Sequence, residues 1–144
     1  MVSQAVLEQT KSFLCWELYR DLSIKLIAIE TTAAFFYPPT KDLSTIIIFY
    51  EKNCTDFSEP VFLLFHEVGH YEQYKMYQTN NKISEFLSLI DLDKGPEKIK
   101  FEREAWDIGK GIMKKFIKKY QSNNLRLLDH YFDFAETCLI SYSC

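Results

Sequence analysis

The sequence predicts an α+β fold, mostly helical, in which a small mixed or antiparallel sheet packs against one buried helix. Three observations lead there. Two runs rich in β-branched residues, 24–30 and 45–50, read as strands. From residue 58 onward, apolar residues recur mainly at helical spacing. Of the 144 residues, 47% are hydrophobic and 16% aromatic, with 4 glycines and 4 prolines, which suits one compact domain over 1–144.

The same composition excludes several classes. A formal net charge of -3 provides no general attraction for nucleic acid. The chain start has an acidic residue and no basic segment followed by an apolar run, so no secretion signal is expected. No stretch approaches the roughly 18 consecutive apolar residues of a membrane span. Cys15, Cys54, Cys138 and Cys144 form no C-x-x-C pair, so a structural zinc cluster is not expected. Reduced thiols in a cytoplasm follow.

Residues 3–20 read as an amphipathic helix, with Val6, Phe13, Leu14 and Leu18 apolar, Trp16 on the flank of that face, and Glu8, Lys11 and Arg20 solvated. The strand at 24–30 follows, and 31–37 continues it or forms a second strand. Residues 38–42, Pro-Pro-Thr-Lys-Asp, make a turn or exposed loop. The run 45–50, Thr-Ile-Ile-Ile-Phe-Tyr, is the clearest strand: apolar, buried and too short for a helix. A strand beside an active-site helix can accept an extended peptide by backbone hydrogen bonds.

The next helix carries the chemistry. Ser58 suits its N-cap and Pro60 its first turn. Residues 61–65, Val-Phe-Leu-Leu-Phe, are apolar almost all round, so the helix should be buried. Then comes His66-Glu67-Val68-Gly69-His70, an H-E-x-x-H pattern that is a zinc-peptidase signature. Positions four apart share a helix face, so both imidazoles can reach one ion at about 2.0–2.1 Å. Glu67 lies roughly 100° round the helix, beside the metal rather than on it. There it can take a proton from a water that the ion acidifies. Gly69 lets another segment or a ligand come close. The plain alternative is a chance match, but two of the chain's 3 histidines fall at this spacing.

The helix runs to about residue 77. A shorter one covers 83–90, with Phe86, Leu87 and Ile90 inward, and 91–96 is a loop. Its Asp91 and Asp93 lack the other positions of a calcium loop. A long helix follows over 97–120. Its apolar stripe is Phe101, Ala105, Ile108, Ile112 and Phe116, flanked by Trp106, Gly109 and Met113. Glu102 falls within this stripe. Glu104 points about 160° away, towards Lys115 and Lys118. A carboxylate on an apolar face is costly unless paired or bound to metal. Glu102 is therefore the preferred third ligand and Glu104 the solvated alternative. A dipole-stabilised carboxylate near the helix start is the other reading of Glu102. Lys110, Lys114, Lys115, Lys118 and Lys119 form a basic outer face, read as solvated. Residues 121–124 break the helix. A last one covers 125–140, with Leu127, Leu128, Tyr131, Phe132, Ala135 and Leu139 apolar. His130 or Tyr131 could serve an oxyanion, but a surface histidine and a packed tyrosine are preferred.

His66-Glu67-Val68-Gly69-His70 followed by Glu102-Arg103-Glu104-Ala105 resembles the ImmA/IrrE family of metallopeptidases over roughly residues 43–117. That family pairs H-E-x-x-H with a downstream E-x-E-A helix whose first glutamate is the third zinc ligand. The resemblance implies a zincin-like fold, His66, His70 and Glu102 as Zn2+ ligands, and Glu67 as general base. It implies a protein or peptide substrate, such as a repressor or regulator of transcription, and some members act through partners. The chain departs from the pattern at Trp106, where Asn is common. It departs again at 113–116, where a basic stretch replaces an apolar run ending in Pro. The expectation is thus a cytoplasmic zinc metallopeptidase, with neither nucleic acid nor membrane as partner. The first alternative is a metal-stabilised pseudo-enzyme or regulatory binding module, its fourth metal position closed by a residue such as Cys54. The second is an interaction protein without metal.

Overall fold

A computed structural model describes residues 1–39, 41–122 and 124–143. Thr40 of the expected loop, Asn123 of the expected helix break and Cys144 lie outside the described residues. Among the described residues there are five α-helices, a π-helical segment and a three-stranded mixed sheet, so the fold is mixed α and β and mostly helical. The chain divides into two compact units, Met1–Glu67 and Val68–Cys144, and the division falls inside one continuous helix. Among the described residues, no helix is long and apolar enough to cross a membrane.

In the first unit, α1 (Gln4–Ser12) runs into a π-helical segment, Phe13–Leu18. The expected helix over 3–20 is therefore corrected. Tyr19 N–H donates to Leu14 O at 2.8 Å, a five-residue step. The wider turns rotate the last apolar positions outward. Phe13 and Leu14 are buried, but Trp16 is 79% exposed and Leu18 is exposed too.

The sheet has the order β1-β3-β2, from β1 (Leu22–Ile29), β2 (Ala33–Tyr37) and β3 (Ser44–Glu51). The central strand β3 pairs parallel with β1 and antiparallel with β2, which resolves the sheet as mixed. Ile46 lies opposite both Ile24 and Phe36, and all three are buried. Side chains at alternate positions share a face, so Ser44, Ile46 and Ile48 form the buried side of β3.

The start of α2 (Ser58–Thr79) is also built within this unit. Ser58, the expected N-cap, instead lies inside the helix. Phe57 O accepts from Val61 N–H, which makes Ser58 the first helical residue. The side-chain acceptor is Asp56, whose Oδ1 takes hydrogen bonds from Ser58 N at 3.1 Å, Ser58 Oγ at 2.6 Å and Val2 N at 3.0 Å. These bonds hold its carboxyl below the usual range, the Ser58 hydroxyl contributing most. Val61, Phe62, Leu64 and Phe65 follow, all buried.

The second unit holds the rest of α2, then α3 (Ile83–Asp91), α4 (Pro96–Tyr120) and α5 (Leu125–Ile140). Phe86 of α3 is fully buried, with edge contacts to Tyr74, Tyr77 and Phe101, whereas Leu87 is exposed. The loop into α4 turns on Gly95, whose φ of 110 suits glycine and whose N–H donates to Tyr142 O. The buried stripe of α4 includes Phe101, Glu102, Ala105, Ile112 and Phe116, as expected, and the flanking Trp106, Gly109 and Met113 are buried too, whereas Ile108 is only half-buried. Lys98 is buried on it as well, which the periodicity argument did not include. On α5, Leu127, Leu128, Tyr131, Ala135 and Leu139 are buried; Phe132 is exposed, with Lys110 Nζ over its ring.

Candidate metal centre

The apolar run 61–65 carries α2 into a buried environment, so the polar motif that follows is buried with it. His66, Glu67, His70 and Glu102 are each at most 7% exposed. His66 and His70 stand one turn apart on α2, and Glu102 projects from α4. One ligand atom from each of His66, His70 and Glu102 lies within 4.8 Å of the others. Donors about 2.0–2.2 Å from a common ion lie roughly 3–4 Å apart, so small side-chain adjustments suffice. Two imidazoles and one carboxylate also match the donor set of a catalytic zinc.

Gln73 supplies a second test of fit. It is fully buried, one turn beyond His70. Its Nε2 donates to Phe101 O and to Glu104 Oε1, both at 2.9 Å. Both are acceptors, so the amide nitrogen faces them and the amide oxygen faces His70 Nδ1, at 2.8 Å. His70 Nδ1 must then carry the hydrogen. That turns the other nitrogen, Nε2, towards Glu102 Oε2 at 2.8 Å. A nitrogen lone pair and a carboxylate oxygen repel at that distance unless a cation is shared, either a proton or a metal ion. With the donor from His66 beside this pair, the three residues form a group that could hold a metal ion.

The cost of burying Glu102 has its own answer. Lys98 Nζ, one turn earlier on α4, lies 2.8 Å from Glu102 Oε1 and is equally buried. Burial of this carboxylate therefore does not by itself require a metal. Glu104, the solvated alternative, is exposed, accepts from Gln73 and is not part of the three-ligand group. Phe101 stacks on His70, with ring centroids 5.2 Å apart. With Glu104, Tyr77 and Leu89 it also lines a cavity of about 450 Å3, to which none of the three ligand residues contributes.

Gly69 explains itself here. A Cβ on it would lie 2.0 Å from Ala105 O, so α2 and α4 approach too closely for any side chain at this position. Gly69 thus allows Glu102, on the same turn of α4 as Ala105, to reach the α2 imidazole.

The remaining sequence candidates separate. His130 is exposed, and the buried Tyr131 hydroxyl donates to Trp106 O at 2.7 Å. Burial pushes that hydroxyl far above the usual tyrosine range. The thiol of Cys54 donates to Asp56 O and does not join the three-ligand group. Gln73 and Lys98 are the functional candidates that sequence reasoning missed. The available signal was spacing: Gln73 is three residues after His70, and Lys98 is four before Glu102 on the buried stripe. Comparison of the chain with protein-family models, with curated proteins and with solved structures finds no match.

Proposed function

We propose that this chain is a zinc-dependent metallopeptidase of zincin-like fold, as its resemblance to the ImmA/IrrE family implies. The observation that carries the reading is the convergence of His66, His70 and Glu102 within 4.8 Å in a buried site. Zinc, when bound by these residues, supplies a Lewis acid that acidifies water and polarises the scissile carbonyl. Glu67, adjacent to His66 and buried with it, accepts the proton of the attacking water and returns it to the leaving amine. Gln73 fixes the tautomer of His70, so Nε2 is the nitrogen that would hold the ion. The substrate class is a protein or peptide, such as a cytoplasmic repressor or regulator.

The test starts with zinc content, measured on protein purified without chelator or affinity tag. About one zinc per chain is expected, and none in a His66→Ala/His70→Ala double variant. Glu67→Gln should keep the zinc while cleavage of a proteome-derived protein mixture, read as new N-termini, falls about 100- to 10,000-fold. Zinc retained with cleavage unchanged would sink the hydrolase reading. Zinc retained with no cleavage by the native chain either would favour the metal-stabilised binding module.

A further inference from the structure

We propose that Lys98 is a positioning residue of the metal site, one that restricts Glu102 to a single oxygen donor. The inference rests on the metal-site reading above and deepens it. The two carboxylate oxygens of Glu102 have different tasks. Oε2 faces His70 Nε2 at 2.8 Å, while Oε1 is held by Lys98 Nζ at 2.8 Å. A charge-assisted bond of that length occupies Oε1 and fixes the plane of the carboxylate. Oε2, which faces His70, is then the oxygen that would hold an ion.

Lys98 is itself held in place, which separates it from an ordinary mobile lysine. Its side chain is 4% exposed. Its ammonium group also donates to Ile90 O at 2.8 Å and to Leu89 O at 3.3 Å. These carbonyls belong to the last turn of α3, where Leu89 O also accepts from Leu92 N–H at 3.3 Å and the helix dipole favours a cation. The rings of Phe101 and Tyr142 lie 5.6 and 5.4 Å from Nζ. The last turn of α3, which offers no ligand, thus orients the third ligand through Lys98. A carboxylate limited to one oxygen leaves a coordination position for water, which a two-oxygen carboxylate would compete for. The ammonium also offsets the carboxylate's charge, leaving the ion a stronger Lewis acid.

The test uses the intact chain loaded with cobalt(II), whose visible absorption weakens as coordination rises above four. Lys98→Met keeps the length and loses the charge, and Lys98→Arg keeps the charge. The expected result is a loss of band intensity in Lys98→Met and the native band in Lys98→Arg. A native band in Lys98→Met would overturn the proposal and leave Lys98 as packing. If native protein takes up no cobalt, the metal-site reading fails instead. Should Lys98→Met not fold, zinc-edge X-ray absorption of the native protein decides. About four donors at bonding distance are expected, and about five, with a two-oxygen carboxylate signature, would overturn the proposal.

Discussion

The residue that admits the least change is Gly69. In a helix interior, Ala is favoured over Gly by about 1 kcal/mol, so propensity alone predicts that Gly69→Ala stabilises the chain. The contact geometry predicts the reverse. The new methyl carbon would sit 2.0 Å from Ala105 O, a backbone atom that no rotamer change can move. The helices must separate locally, at a cost of about 1–3 kcal/mol for an overpacked position. Urea unfolding of Gly69→Ala should show that loss, together with weaker zinc binding because Glu102 recedes from His70. Unchanged or raised stability would mean that α2 and α4 do not approach as closely as described. Much of this residue-scale site was legible in the sequence. A spacing of four on a helix places His66 and His70 on one face whatever the fold, and the stripe geometry preferred Glu102 to Glu104. Gln73 and Lys98 were not legible, because their roles depend on what docks against them. The amide of Gln73 is oriented by α4, and Lys98 by the end of α3.

At the scale of elements, the start of α2 shows how local chemistry sets the position of the motif. Asp56 gathers three donors, two from Ser58 and one from the backbone of Val2, so it secures the helix start and the residues before α1 together. Asp56→Ala should cost about 1 kcal/mol at neutral pH, since the carboxylate is largely exposed and its bonds are screened. The sign of the pH dependence follows from its lowered pKa. A depressed carboxylate contributes stability above its unfolded value, near 3.8, and loses it as pH falls through the lower folded value. The difference between native and Asp56→Ala protein should therefore be constant above about pH 5 and shrink below 3.8. Urea titrations at three pH values would show it, and a gap that widens in acid would contradict it. Element identity was largely readable, because helices from 58 onward follow the apolar period and the last spans 125–140 as expected. The π-helical segment was not. A five-residue hydrogen-bond step has no residue signature, so Leu18 seemed apolar-facing and Trp16 flanking when only the α period was applied.

At the scale of the whole molecule, the sequence indicated a small sheet and a helical majority but left the strand order open. Residues 24–30 and 45–50 are both apolar and β-branched, and nothing in either composition says that they pair in parallel, with β2 across the far edge of β3. Pairing is decided by which faces must be buried together, and that emerges only when Ile24, Ile46 and Phe36 line up. A bound ion would likewise act on the fold as a whole. The three candidate ligands are carried by α2 and α4, far apart in sequence, and an unfolded chain does not hold them together. Metal binding should thus stabilise the native state by mass action, about 2.7 kcal/mol when free zinc is 100 times its dissociation constant. Thermal unfolding should shift upward by several degrees on adding zinc and return on adding a chelator. In the His66→Ala/His70→Ala variant the zinc-dependent shift should vanish, because a lone buried carboxylate already paired with Lys98 has little to offer an ion. An equal shift in that variant would place the zinc elsewhere. No shift in the native chain would mean that the proton, not a metal, is the cation shared by His70 and Glu102.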